Sequence, residues 1–211
     1  MAQNGTYTLQ DAKKLTEKTL QITGTMTDAS PQSGIYRFSR MLLDRTIMML
    51  ESDMMGKNRV YPKCIVDLWE QKLNFSNDNA ERTGIKMKVG VQYFKAALAE
   101  SSKLPLVPTE GKMEEYNKQV QTIRDYFGHA VDYVLVKEAD LTEMRFLFGM
   151  LDTWYVREVA NMSHLKGGKD VQAMERIKTY TTQFRTLALD QRFDGSLEPE
   201  VKKTYGWKYI N

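Results

Sequence analysis

The chain has 211 residues, of which 42% are hydrophobic and 27% charged, and its formal net charge is +3. This composition is typical of a globular protein and excludes a disordered chain. A single cysteine excludes a disulfide framework within one chain and favours a reducing compartment. The first ten residues lack the basic start and apolar core of a secretory signal, and no stretch resembles a membrane span. We therefore expect a protein that is not secreted, in the cytoplasm or within a virus particle.

Hydrophobic spacings of three and four residues predict helices along most of the chain. Thr8 and Asp11 predict a capping box at the start of the first helix, which Gly24 ends. The second helix follows Gly34 and ends at Gly56. Its apolar positions cover so much of the circumference that we expect it to lie in the core. These positions are Ile35, Phe38, Met41, Leu42, Leu43, Ile47, Met48, Met49 and Leu50.

Pro62 predicts the first turn of a third, short helix, and a polar turn at 74–79 follows that helix. The next segment fits two patterns. Apolar positions at helical spacing run from Ala80 to Leu98, whereas residues 85–93 also alternate like a strand. We prefer a helix because its pattern is the longer one, with a β-hairpin near 85–94 as the minor alternative.

The second half of the chain begins with a proline-containing linker at 102–108 and continues with further predicted helices. The first of these carries apolar residues at helical spacing from Met113 to Val134. Others are predicted between Asp140 and Gly167 and after Asp170. The sequence thus predicts an all-α fold of about seven helices with short connections in one compact domain. An alternative is two subdomains, 1–101 and 109–196, joined by the linker, with an aromatic tail at 197–211.

The sequence offers few residues for catalysis or metal binding. It contains neither common phosphate-binding loop, and its one cysteine and two histidines are too scattered for a zinc site. Cys64 lies among apolar neighbours, as a buried and unreactive thiol would. Asp125 and His129 are one helical turn apart, a spacing more typical of a surface hydrogen bond than of a general base. We therefore expect no catalytic residues, no metal and no cofactor.

Charge is unevenly distributed along the chain. Residues 1–108 carry net +4, residues 109–160 carry −4 and residues 161–211 carry +3. An acidic centre with basic flanks favours association between copies or contact with a polyanion. Basic residues near aromatic ones are candidates for contacts with phosphates and bases of single-stranded nucleic acid. The candidates are Arg37, Arg40, Lys57, Arg59, Lys86, Lys88 and Arg185.

The last residues form a second candidate contact. Tyr205, Trp207, Tyr209 and Ile210 place four large side chains within six residues, and Tyr and Trp are favoured interface anchors. We expect this tail either to dock on its own domain or to reach into a neighbouring copy. The latter would make it an oligomer interface.

These observations predict a non-enzymatic structural protein that self-assembles and contacts nucleic acid through basic helix faces. A capsid or nucleoprotein of a virus or phage is one form of this hypothesis, although no motif supports that form specifically. The alternative is a helical adaptor that binds a protein or peptide in an apolar groove lined by Met48, Met49, Met54 and Met55. An enzyme that uses carboxylates is the third and weakest hypothesis. We interpret most of the methionines as core filler.

Overall fold

The computed structural model describes residues 8–57, 62–105 and 110–134 of the chain. These residues form five helices and no strand, so the all-α prediction is confirmed for the described part. The helices are α1 (Leu9–Gly24), α2 (Gly34–Lys57), α3 (Pro62–Leu73), α4 (Asn79–Lys103) and α5 (Met113–Val134). The minor expectation of a β-hairpin near 85–94 is wrong, because this segment lies inside α4. The helices predicted beyond residue 134 lie outside the described residues.

The helices begin where the sequence predicts capping. The N–H of Asp11 donates to Thr8 Oγ1 at 3.1 Å, and the N–H of Thr8 donates to Asp11 Oδ2 at 2.9 Å. This is the predicted capping box of α1. Pro62 is the first residue of α3, where its missing N–H costs no helical hydrogen bond. Asp78 caps α4, since its Oδ2 accepts the N–H of Glu81 at 2.8 Å.

The first three helices pack against one another around an apolar core. α2 contributes Leu43, Ile47 and Leu50 to this core, and all three are buried. α3 buries half of its residues there, and the polar turn that follows it adds Phe75, which is fully buried. The ring of Phe75 lies 5.5 Å from that of Tyr36, whose hydroxyl donates to the Phe75 carbonyl. This contact fixes the end of α3 against the start of α2.

The buried face of α1 consists of small and hydroxyl-bearing residues, namely Ala12, Thr16, Thr19 and Thr23. Thr23 Oγ1 donates to the carbonyl of Thr19 at 2.8 Å, and the hydroxyls of Thr19 and Thr46 lie 3.1 Å apart. These bonds satisfy hydroxyl groups that would otherwise be costly to bury. The sequence predicts an apolar face with Leu9, Ala12, Leu15 and Ile22. Ala12 is buried as predicted, whereas the prediction is wrong at Leu9 and Ile22, which are exposed.

The turn between α3 and α4 is held by side chains of the first turn of α4. Arg82 Nη1 donates to the carbonyls of Leu73 and Ser76 at 3.0 and 2.8 Å. Glu81 accepts from Ser76 Oγ at 2.7 Å and also binds Arg40 of α2. α4 therefore has a fixed start against α2 and α3.

The buried face of α4 differs from the predicted one. Met87 is buried as predicted, but Ala80 and Gly84 of the same predicted stripe are exposed. The buried positions are Ile85, Met87, Val89, Gly90, Gln92, Tyr93, Ala96, Ala97 and Ser101. The helix is thus correctly predicted, whereas its inward face is not.

The chain divides into two compact units, Met1–Ser102 and Lys103–Asn211. In the second unit, α5 buries most of the predicted stripe, including Tyr116, Val120, Ile123 and Phe127, while Met113 is exposed. The prediction of one compact domain, with two subdomains as its alternative, stays a prediction.

Among the described helices, none combines the length and the apolar character of a membrane span.

Candidate interaction surface

α2 has a second apolar face that points away from the core. Five large side chains are exposed there: Ile35 by 55%, Phe38 by 47%, Met41 by 50%, Met48 by 61% and Met49 by 40%. Their spacing follows the helical repeat, so they share one side of the helix. We call these five residues the outward face of α2. The prediction that they lie in the core is wrong, and so is the interpretation of these methionines as core filler.

A groove of about 590 Å³ runs beside the outward face. Met41 and Met48 belong to both the groove and the outward face, whereas the other lining residues are mostly polar or charged. The described residues that line it are Pro31, Tyr36, Arg37, Arg40, Met41, Asp44, Arg45 and Met48. Apolar, cationic and anionic side chains are therefore available together on one flank of α2.

The charged groups of the groove differ in how they are engaged. Arg40 forms an ion pair with Glu81, and Asp44 forms one with Lys72. Arg37 Nη2 donates to the neutral carbonyl of Gln32 at 3.1 Å, and no acidic side chain of the described residues forms an ion pair with Arg37. Arg45 is exposed, and the described residues include no ion-pair partner for it. Arg37 and Arg45 are thus the cations of this flank best placed to bind another molecule.

The predicted nucleic-acid contacts do not lie on one face. Arg37 and Arg40 line the same groove on α2. Lys86 is half-buried and Lys88 exposed, and side chains two residues apart on a helix point about 200° from each other. These two lysines therefore point to different sides of α4. Lys57 ends α2 but its side chain lies outside the described residues, as do Arg59 and Arg185 entirely.

Two lysines lie over the ring of Trp69, a feature that the sequence patterns did not reveal. The Nζ atoms of Lys72 and Lys88 are 4.8 and 4.7 Å from the ring centroid. Trp69 Nε1 donates to Glu51 Oε1 at 3.2 Å, which holds the indole in place. The i,i+3 spacing of Trp69 and Lys72 on α3 could have predicted their contact. The contact with Lys88 could not be predicted in this way, because Lys88 lies on α4. The cluster fixes α3 against α4 and engages both cations.

The residues considered for catalysis are placed as follows. Cys64 is buried, and its burial raises the pKa of the thiol, so the reactive thiolate is disfavoured. Asp125 and His129 are exposed on α5, and Asp125 Oδ1 accepts from Gln121 Nε2 at 2.8 Å. Among the described residues, no three His, Cys, Asp or Glu side chains gather as metal ligands would.

The other predicted interface lies outside what the structure describes. Tyr205, Trp207, Tyr209 and Ile210 belong to the part beyond residue 134. Met54 and Met55 lie within α2, but their side chains are outside the described set, so Met48 and Met49 alone represent the predicted methionine surface. Of the two predicted contact surfaces, only the one on α2 has a described geometry.

Comparison with known proteins gives no match. No family model, no curated protein and no solved structure resembles this chain significantly. The functional argument therefore starts from the surface of α2.

Proposed function

We propose that this chain is a non-enzymatic structural protein that self-assembles, with the outward face of α2 as a principal contact. The observation that carries the proposal is the exposure of five large apolar side chains along one helix. Contiguous apolar patches on an otherwise well-packed protein mark interaction surfaces, because covering them removes apolar area from water. Two cationic side chains, Arg37 at the margin and Arg45 within the face, give such a contact a preferred orientation.

The same surface supports a second candidate function, that of an adaptor for another protein. Met48 and Met49 are exposed, and methionine side chains adapt to partners of different shape. An adaptor needs no contact between its own copies. The two functions therefore differ in whether the purified chain associates with itself.

The test is the molar mass of the purified chain as a function of its concentration, together with its absorbance ratio at 260 and 280 nm. We expect the mass to rise above that of the 24.4 kDa monomer as the concentration increases. Deletion of residues 205–211 should lower the mass of the assembly, since this segment carries the predicted aromatic anchors. A chain that stays monomeric at every concentration would overturn self-assembly and leave the adaptor as the better proposal.

Contact with single-stranded nucleic acid is the second part of the proposal, for a protein of the cytoplasm or of a virus particle. We expect affinity to fall steeply with salt, because bound cations displace counterions from the phosphates. Arg37→Gln should lessen the slope of log K against log salt by about one unit, because Arg37 is an exposed candidate for a phosphate contact.

The control for this prediction is Lys14→Gln, which removes an exposed cation of α1 that is not among the candidates. It should leave the slope unchanged. A flat salt response of the parent chain, measured by fluorescence anisotropy with a labelled oligonucleotide, would remove nucleic acid from the proposal. The self-assembly part of the proposal would then be tested by the mass measurement alone.

A further inference from the structure

We propose that the outward face of α2 is covered by the same face of a second copy, with the two α2 helices antiparallel about a two-fold axis beside Met41 and Leu42. The proposal rests on the proposed function, because it names the partner of the self-assembling surface. An interface of this kind must be self-complementary, since a two-fold axis brings the same patch of both copies together. The arrangement of side chains on α2 meets that condition.

The apolar residues are distributed evenly about this axis. In an antiparallel pair, positions at equal distances on either side of the axis face each other. Ile35 of one copy is then level with Met48 and Met49 of the other, and the two copies of Met41 meet beside the axis. All of these side chains are exposed in the chain by itself. Ile35 and Met49 lean to the same edge of the helix, so the pairing covers each of them with the other and covers Met41 with its own copy, whereas Met48 lies on the groove side of the contact.

Phe38 and Arg45 face each other in the same register. They lie equally far from the axis, on the same side of the helix, and both are exposed. A guanidinium over an aromatic face is a favourable contact, stronger once water is removed. The antiparallel register thus gives Arg45 a partner, although it lies in the middle of an otherwise apolar surface.

A reciprocal ion pair at the edge distinguishes the antiparallel from the parallel arrangement. Arg37 and Asp44 line the same groove, so they lie on one flank of α2, and the side chain of Asp44 is 51% exposed although it also binds Lys72 of its own chain. The two-fold axis brings this flank against its copy, with Arg37 about two residues, or roughly 3 Å, along the axis from the partner's Asp44. A parallel pair would instead put Arg37 and the partner's Asp44 on opposite edges, and it would set the two copies of Arg45 against each other in the middle of the face, where like charges repel.

The contact is small for a protein interface, because one pair of helices supplies it. Weak association is typical of interfaces of this size, so we expect a dissociation constant on the order of micromolar for this contact alone. Such an equilibrium shifts within the concentration range of sedimentation experiments. Charge reversal should therefore change the measured mass clearly.

The first test exchanges the charges of the ion pair. Arg37→Glu and Asp44→Arg should each weaken self-association by tenfold or more, because each variant places like charges against each other twice. An equimolar mixture of the two variants should recover association, since opposite charges then face each other at both ion-pair positions of the mixed pair. Asp44→Arg also breaks the ion pair of Asp44 with Lys72. Asp67→Arg is the control for that loss, because it breaks a comparable surface ion pair, between Asp67 and Lys63 on α3.

The second test locates the axis by thiol cross-linking in a Cys64→Ala background. With a short bis-maleimide, Met41→Cys should link to its own copy. Ile35→Cys should link to Met49→Cys in a mixture but not to itself. Self-linking of Ile35→Cys would overturn the antiparallel register.

The outcomes separate this inference from the proposed function. If the parent chain assembles but neither charge reversal changes its mass, and Met41→Cys does not link, then another surface joins the copies and the inference is wrong. If the parent chain is monomeric throughout, the proposed function is wrong as well. Recovery of association in the mixed variants, together with a Met41→Cys link, would support both.

Discussion

Replacing Met41 and Met48 together by glutamate should abolish self-association at concentrations where the parent chain assembles. Both side chains are exposed by at least half, so the change costs the folded monomer little. In the assembly, however, it places charges in the centre of an apolar contact. Removal of a central anchor typically costs about 2 kcal/mol or more, which corresponds to roughly 30-fold in affinity. Sedimentation velocity measures the mass, and circular dichroism measures the helix content.

The control for this variant is Met113→Glu, which introduces a charge at a methionine that is 46% exposed on α5. Glutamate and methionine have similar helix propensities, so neither variant should lose helix content. The control should assemble like the parent chain. Equal assembly of the double variant and the parent would show that the outward face of α2 is not a contact.

Phe75→Ala should destabilise the folded chain by about 3–5 kcal/mol, the usual cost of removing a buried aromatic side chain. Phe75 is fully buried in the turn after α3, and its ring packs against Tyr36. Truncation leaves a cavity where α2, α3 and the turn meet. Urea or thermal unfolding, followed by circular dichroism, measures the loss in the free energy of unfolding.

A matched control exists on α2. Phe38→Ala removes the same side chain from a position that is 47% exposed, so its effect on the monomer should stay within about 1 kcal/mol. Unfolding should be measured at a concentration where the parent chain is monomeric, since association would otherwise add to its stability. Equal destabilisation by the two substitutions would contradict the assignment of Phe75 to the core and Phe38 to the surface.

The positions of the described helices follow from local sequence signals. Thr8 with Asp11, Pro62 and the apolar spacing of α5 act within one or two helical turns, so no knowledge of distant residues is needed. α5 has a single apolar stripe, and its inward face was therefore predictable too. Local information was sufficient wherever only one side of a helix is apolar.

The faces of α1 and α2 depend on their neighbours and were not predictable in the same way. α2 is apolar on two sides, and periodicity alone cannot say which side meets the core. The core side is the one that faces α1 and α3, where Thr46 meets Thr19. On α1 the inward residues are threonines, which a search for apolar stripes overlooks. The hydroxyls of Thr19 and Thr23 are satisfied there, by the hydroxyl of Thr46 on α2 and by the carbonyl of Thr19 one turn away.

At the candidate site, too, some features follow from the local sequence and others depend on distant residues. The sequence placed Arg37 and Arg40 on neighbouring positions of one helix, and both line the groove. It could not show that Glu81, which is distant in the chain, pairs with Arg40 and leaves Arg37 as the more available cation. The association of Lys88 with Trp69 likewise arises only when α3 and α4 pack together. The sequence shows which residues are cationic, whereas the fold determines which of these cations are available to bind another molecule.

The central claim is that the outward face of α2 is covered when copies of the chain associate. Methionine oxidation tests it without any substitution, because Met41, Met48 and Met49 lie in that face and Met113 is an exposed reference on α5. The sulfoxide yield at each methionine is measured by peptide mass spectrometry at low and high protein concentration, with a fixed excess of peroxide. We predict that oxidation of the three α2 methionines slows as the chain assembles, while Met113 reacts at an unchanged rate. Unchanged oxidation of Met41, Met48 and Met49 in a sample whose mass shows assembly would contradict the claim.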